Sequence, residues 1–441
     1  MKLSYFPKYL FVLLMLAMFI PLTSKGYAVL AHEALIDASW DKYLKPLLKK
    51  HYPNSTDEEL KQAHSYAYGG ALIADMGYYP FGSTYYTNLA HYVRSGDFVL
   101  ALINEAETLD EYAFALGALS HYMADQYGHS LATNLAVPIV YPKLREKFGN
   151  VITYEDDHIS HSRMEFSFDV LQTARGNYAP ITYHDFIGFN VSRPVLERAF
   201  LRTYGEDINS VFGDLSLSIS TFRWAVKNLF PGLARDAWAL KKDDIKKITP
   251  TATARTFKYR MSRKKYFAEF GHAHQKPGLK ASIFAFIIKI MPKIGPLKAL
   301  KFKAPGAEGE KLFTTSFDTI LVHYETALAR LNSRNSIALP DIDFDTGKPT
   351  RLGEYGLTDD TYSDLLLKLK DKKFDHLSGP LKQNILRFYN TPDTVAYAKR
   401  KPDEWKKTYA ALQELKAAPI VKQDTLKTYP PDRTDKAKGS N

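Results

Sequence analysis

Thirteen histidines are spread unevenly through this chain, and five of them fall between His91 and His161. The densest string is His121-Tyr-Met-Ala-Asp125-Gln-Tyr-Gly-His129. Residues four apart on a helix drift by only about 40° around its axis, so His121, Asp125 and His129 share one stripe. Two imidazoles and a carboxylate on a stripe can hold a cation, or bridge two through both carboxylate oxygens. A polar core contact is the other reading of the same stripe. His161-Ser-Arg-Met-Glu165 repeats the i, i+4 spacing. His158 lies one turn earlier, as an alternative ligand or as a partner of the ligating ring. Taken alone, such a pair is ordinary on an exposed helix. His32, Asp75 and His91 each sit in an apolar string, where an unpaired polar group is costly. Each alone reads as a hydrogen-bonded structural residue. Together the eight point to metal chemistry. The chain has no cysteine, which removes disulfides, thiolate zinc sites, iron–sulfur clusters and cysteine nucleophiles. Imidazole and carboxylate ligands suit zinc at open catalytic positions, and several cations held close together suit phosphoryl transfer.

The order His32, Asp75, His91, His121-x3-Asp125-x3-His129, His161-x3-Glu165 resembles the zinc-dependent phospholipase C family, over roughly residues 27–175. That family shares a helical, multinuclear zinc core with secreted single-strand nucleases. The string from His121 to Leu131 is similar to the version in glycosylphosphatidylinositol-specific phospholipase D. Its spacing differs from the one usual in the bacterial phospholipases C and the nucleases, a departure that points away from nuclease and toward the phospholipase C/D branch. The resemblance implies two or three Zn2+ ions. One would be held by Asp75, His91, His121 and Asp125, and a second by His129, His161 and Glu165. A third would use His32, a bridging oxygen of Asp125 and the mature N-terminus, where Tyr27 stands in place of the family's common Trp. The implied reaction is hydrolysis of a phosphodiester, with Asp75 also a candidate catalytic base. Tyr78, Tyr79 and Phe81 follow on a Gly/Pro/Tyr-rich loop. Tyr78 and Phe81 are candidates for binding substrate, as an aromatic wall for a choline-like head group; ordinary loop packing is the alternative. A later string, Leu339-Pro-Asp-Ile-Asp-Phe-Asp-Thr-Gly347, is also similar to bacterial members, with no chemistry attached to it.

The elements that must carry these residues read as helices. Trp40 to Lys50 has leucines at helical spacing with lysines opposite, and Thr56 to Glu59 is a capping box opening an apolar face that runs to Ala71. Thr108 to Glu111 is a second box, starting a helix expected to reach about Leu131. Gly77 to Thr84 reads as the loop between them. Long helices are also expected over 209–241 and from Leu312 to Leu331. Alternating β-branched runs are scarce, so the expected fold is all-α: a helical phospholipase C/single-strand nuclease-like core with a basic helical C-terminal extension.

The 441 residues are 45% hydrophobic and 24% charged, values of a globular chain that exclude wholesale disorder and a multi-span membrane protein. A basic start, an apolar run from Leu10 to Leu22 and small residues Ser24 and Gly26 read as a cleaved signal peptide over 1–26. The expected location is therefore secreted or periplasmic. The formal net charge of +11 is uneven: residues 27–175 hold 11 Lys/Arg against 19 Asp/Glu, so the basic excess lies beyond them. An acidic module suits cations and a basic one suits anionic surfaces. The expected division is a zinc-binding helical domain over 27–240, a basic and mainly helical extension over 241–414, and a flexible tail over 415–441. Ile283 to Lys298 mixes large apolar residues with lysines, the composition of a peripheral membrane-surface contact or of a buried covering helix. The expected partner is a phospholipid substrate, and no protein partner is inferred. Three functional readings follow: a phospholipase C-type zinc phosphodiesterase, a single-strand nuclease or nucleotidase on the same scaffold, and a non-catalytic membrane-surface protein with a residual metal site.

Overall fold

The computed structural model describes residues 28–179, 181–229, 301–391 and 394–421. The signal segment, the boundary placed at 240 and the stretch from Ile283 to Lys298 lie outside them. The described chain is all-α, as expected. Helix α1 (Val29–Ser39) passes through a π-helical turn into α2 (Lys45–His51), and α3 (Asp57–Ala71) is followed by a 3-10 stretch, Ile73–Tyr78. Then come α4 (Thr84–Tyr92), α5 (Ser95–Glu105) and α6 (Leu109–Gly128). A π-helical turn, His129–Thr133, joins α6 to α7 (Asn134–Val140), and α8 (Pro142–Phe148), α9 (His158–Arg175), α10 (Ile181–Ile187), α11 (Arg193–Tyr204) and α12 (Leu215–Trp224) follow. The C-terminal part holds α13 (Gly306–Asn332), α14 (Gly356–Asp371), α15 (Gly379–Tyr389), α16 (Thr394–Arg400) and α17 (Pro402–Ala417). Between α13 and α14, Ile342–Asp343 pairs antiparallel with Lys348–Pro349.

Capping chemistry explains where the site-bearing helices begin. Thr56 accepts from the Glu59 N–H while the Glu59 carboxylate takes the Thr56 N–H, so the first box forms in full. The second forms by half. Thr108 accepts from the Glu111 N–H at 3.3 Å, but the Glu111 carboxylate turns to the Glu107 N–H and to Arg198. The helix expected over 209–241 begins later: a 3-10 turn occupies Ile208–Ser210, and Asp214 caps a fresh start at Leu215 by accepting from the Leu217 N–H. An Asp side chain that bonds the backbone two or three residues on competes with helix continuation, so two such residues, Asp207 and Asp214, break the run. At the C-terminus α17 runs past residue 415, where the flexible tail was expected to start. Leu415 is fully buried there, and its burial carries the helix on to Ala417.

Helices α3 and α6 form the central pair. Their backbones come close enough that a Cβ on Gly117 would stand 2.1 Å from the Ala67 carbonyl oxygen, and one on Gly70 1.9 Å from that of Phe114. Both sites need glycine for proximity. Gly117→Ala is therefore expected to force the pair apart and destabilise the fold by about 1–3 kcal/mol, a shift readable by urea denaturation. Buried tyrosines tie the surrounding helices to this pair: Tyr324 of α13 donates to the Leu116 carbonyl at 2.9 Å, and Tyr122 of α6 to that of Pro340 at 2.7 Å. Each ring fills core volume while its hydroxyl finds an acceptor. No helix among the described residues is long and apolar enough to cross a membrane.

Candidate metal centre

Helix α6 presents His121 and Asp125 inward, and His129 follows at the start of the π-helical turn; all three are buried. Asp125 is the hub. Its Oδ1 lies 3.5 Å from His32 Nε2, while Oδ2 lies 3.4 Å from His91 Nε2 and 3.2 Å from His121 Nε2. Two oxygens turned to different partners give the carboxylate the geometry of a bridge. His91 Nε2 is also 3.3 Å from Asp75 Oδ1.

Backbone carbonyls set the rings. His91 Nδ1 lies 2.9 Å from the Thr87 carbonyl oxygen and His121 Nδ1 2.9 Å from that of Ala71. A carbonyl can only accept, so Nδ1 carries the proton and Nε2 turns to the carboxylates, the orientation of a ligating histidine. Thr87 does double duty. Its hydroxyl donates to the Ala74 carbonyl and accepts from the Gly77 N–H, which pins the 3-10 stretch carrying Asp75 against α4.

The second group comes from α9 and the π-helical turn. His161 Nδ1 is 2.9 Å and His129 Nε2 3.4 Å from Glu165 Oε1. The i, i+4 pair on α9 is thus buried rather than on an exposed face. His158 is exposed at the helix start and stands outside the cluster. The late string Leu339–Gly347 reaches this group. The Phe344 carbonyl oxygen lies 3.2 Å from His129 Nδ1, Asp345 Oδ1 3.4 Å from the same nitrogen, and the Phe344 ring 5.3 Å from that of His91.

His32 arrives on α1 and stacks on His121 with ring centroids 4.6 Å apart. Two buried acids hold α1 there: Asp169 accepts from the Leu30 N–H at 3.0 Å, and Glu33 pairs with His184 at 2.6 Å. Burial pushes the Asp169 carboxyl up to about 8. Tyr27, the expected N-terminal ligand, lies outside the described residues. Tyr78 is buried with its ring 5.9 Å from His91, whereas Phe81 is more than half exposed and adopts φ of +63°. The structure therefore brings together all eight His/Asp/Glu candidates and Tyr78, and leaves Phe81 at the surface.

Electrostatics favour positive charge in this cluster. Burial alone would discharge His91, but the carboxylates of Asp125 and Asp75 outweigh it and push the ring up to about 10. His121 and His129 are raised for the same reason, again against burial. Burial opposes the charge of Asp125, yet His121 and His129 hold it well below the usual carboxylate range. His32 goes the other way: burial, aided by the charge of His121, pushes it down to about 3. The donor set also fits a metal sterically. Ligand atoms of His32, His121 and Asp125, and of Asp75, His91 and His121, lie within 4.8 Å of one another. His91 Nε2, His121 Nε2 and both oxygens of Asp75 have no hydrogen-bond partner although buried. Buried atoms that face one another without bonding are arranged as groups that share a cation.

Residues 31–214 match the model of the zinc dependent phospholipase C family, which supports the resemblance carried by the histidine and aspartate strings. No curated protein and no solved structure matches the chain significantly. The family match supports, in general terms, a zinc-dependent hydrolase that cleaves phosphodiesters of phospholipids.

Proposed function

We propose that this chain is an exported, zinc-dependent phosphodiesterase of the phospholipase C type, acting on the head-group phosphodiester of phospholipids. The observation that carries the reading is the convergence of His32, Asp75, His91, His121 and Asp125 beside the group His129, His161 and Glu165. Asp75, His91, His121 and Asp125 would hold one Zn2+, and His129, His161 and Glu165 a second. His32 and the second oxygen of Asp125 would contribute to a third. Bound zinc lowers the pKa of water toward neutrality and stabilises charge on a phosphoryl oxygen. The chain's own groups do the rest. Asp75, with both oxygens outside any hydrogen bond, would accept a proton from the attacking water. Asp125 fixes the spacing of the rings around it. Tyr78, buried beside His91, would close one wall and limit the water that reaches the centre.

The test combines elemental mass spectrometry with an activity comparison on the processed protein. Two or three zinc atoms per chain are expected. Hydrolysis of phosphatidylcholine vesicles should be lost on chelation and regained with added zinc. Cleavage of single-stranded DNA with intact vesicles would replace the lipid substrate by nucleic acid. Fewer than two zinc atoms after loading at neutral pH would sink the catalytic reading.

A further inference from the structure

Asp345 lies outside the matched region 31–214 and outside the eight candidate ligands, yet it is fully buried against them. We propose that Asp345 is a positioning residue of the metal centre: its carboxylate and its backbone carbonyl together orient the rings of His129 and His161 so that one nitrogen of each faces Glu165. The inference rests on the zinc reading above and extends it to a segment more than 200 residues away in sequence.

For His129, Nδ1 faces two acceptors, the Phe344 carbonyl oxygen at 3.2 Å and Asp345 Oδ1 at 3.4 Å. Neither can donate, so the proton belongs on Nδ1 and the Nε2 lone pair turns toward Glu165. For His161 the same residue acts at one remove. The Asp345 carbonyl accepts from Asn134 Nδ2 at 2.7 Å, which turns the amide so that Oδ1 faces His161 Nε2 at 2.9 Å. That fixes the opposite tautomer, with the proton on Nε2 and Nδ1 directed at Glu165 Oε1. One residue thus selects different nitrogens on the two rings, as their different directions of approach require. Asp345 is itself held rigidly. Its Oδ2 accepts from Tyr92 at 2.8 Å and from Tyr355 at 2.5 Å, and the turn that follows it is tight, with Gly347 at φ +71° donating to the Asp343 carbonyl. Asp343, two residues earlier, instead accepts from Thr358 and from the Thr346 N–H. The loop therefore contains its own control.

The test is zinc affinity of the full-length protein, measured by competition with a chromogenic chelator for wild type, Asp345→Asn and Asp343→Asn. Asp345→Asn is expected to weaken one zinc by about 10–100-fold, with Asp343→Asn within about threefold of wild type. Should Asp345→Asn fail to fold, Tyr355→Phe removes one bond from the carboxylate and is expected to weaken the same zinc by about threefold or more. A second readout needs no variant: ring nitrogen spectra of the metal-free, histidine-labelled wild type at high pH should show His129 protonated at Nδ1 and His161 at Nε2. Wild-type affinity in both Asp345→Asn and Tyr355→Phe, or the reverse tautomers, would overturn the proposal. A wild type that binds no zinc would instead sink the functional reading, and metal-free ring spectra of Asp345→Asn beside those of wild type would still separate the part of Asp345 from that of the Phe344 carbonyl in orienting His129.

Discussion

Asp125→Asn is expected to yield a folded protein that has lost at least one zinc and about 10²–10³-fold or more of its phosphodiesterase activity. The substitution keeps shape and removes the charge that three histidines share, at 3.5, 3.4 and 3.2 Å. Preorganised electrostatic contacts at reacting centres are worth about that much when single groups are removed, and a bridging group counts toward two positions. The fold has reason to survive. The Asn side-chain N–H can donate to the Nε2 of a neutral His91 or His121, which satisfies the buried pair. That bond also occupies the lone pair a cation would need, so metal loss and fold retention are expected together. Zinc content by elemental mass spectrometry, circular dichroism and turnover on phosphatidylcholine vesicles check the three parts separately. Full zinc content with intact turnover would remove Asp125 from the centre.

The eight candidate ligands were readable because each carries a local mark. His121, Asp125 and His129, and likewise His161 and Glu165, follow the helical period, and His32, Asp75 and His91 interrupt apolar strings. A period of four residues is a statement about one helix face, and the structure puts both of those faces inside. The all-α class was readable because segments such as 40–50 and 56–71 carry apolar residues at helical spacing while alternating β-branched runs are scarce. What lies behind the ligands carries no such mark. Asp345 sits in an extended stretch between two residues of β-pairing and a turn, so its own neighbours do not show which way it faces. Its partners, His129 and Asn134, are separated from it by more than 200 residues. Pairing at that distance follows from how α6, α9 and the 339–347 segment meet, which no local period encodes. The break before α12 was missed for a different reason. The apolar spacing across 209–241 is helical, and only the side-chain bonds of Asp207 and Asp214 to nearby N–H groups end one run and begin another. Phe81 shows the converse: an aromatic after a candidate ligand suggests a pocket wall, but the structure places its side chain at the surface, on a residue of positive φ.

Phe344→Ala is expected to cost about 3–5 kcal/mol of stability, the range for emptying a fully packed aromatic site. Phe344 is almost wholly buried, with its ring 5.3 Å from His91, 5.7 Å from His121 and 5.5 Å from Tyr122. It is the apolar wall between the late segment and the histidines of the first group, His91 and His121. Its backbone would keep its bonds, with its N–H on the His91 carbonyl and its own carbonyl on His129 Nδ1. Truncation therefore removes the wall without unfastening the strand. Water entering the cavity would weaken every electrostatic contact within it, because charges interact far more weakly at higher dielectric. Activity should accordingly fall by more than zinc occupancy does. Phe344→Leu, which refills most of the volume, should recover most of the stability. Urea unfolding with zinc bound and after chelation measures both effects. A loss under about 1 kcal/mol in both states would mean that the 339–347 segment lies against the centre without being part of its core.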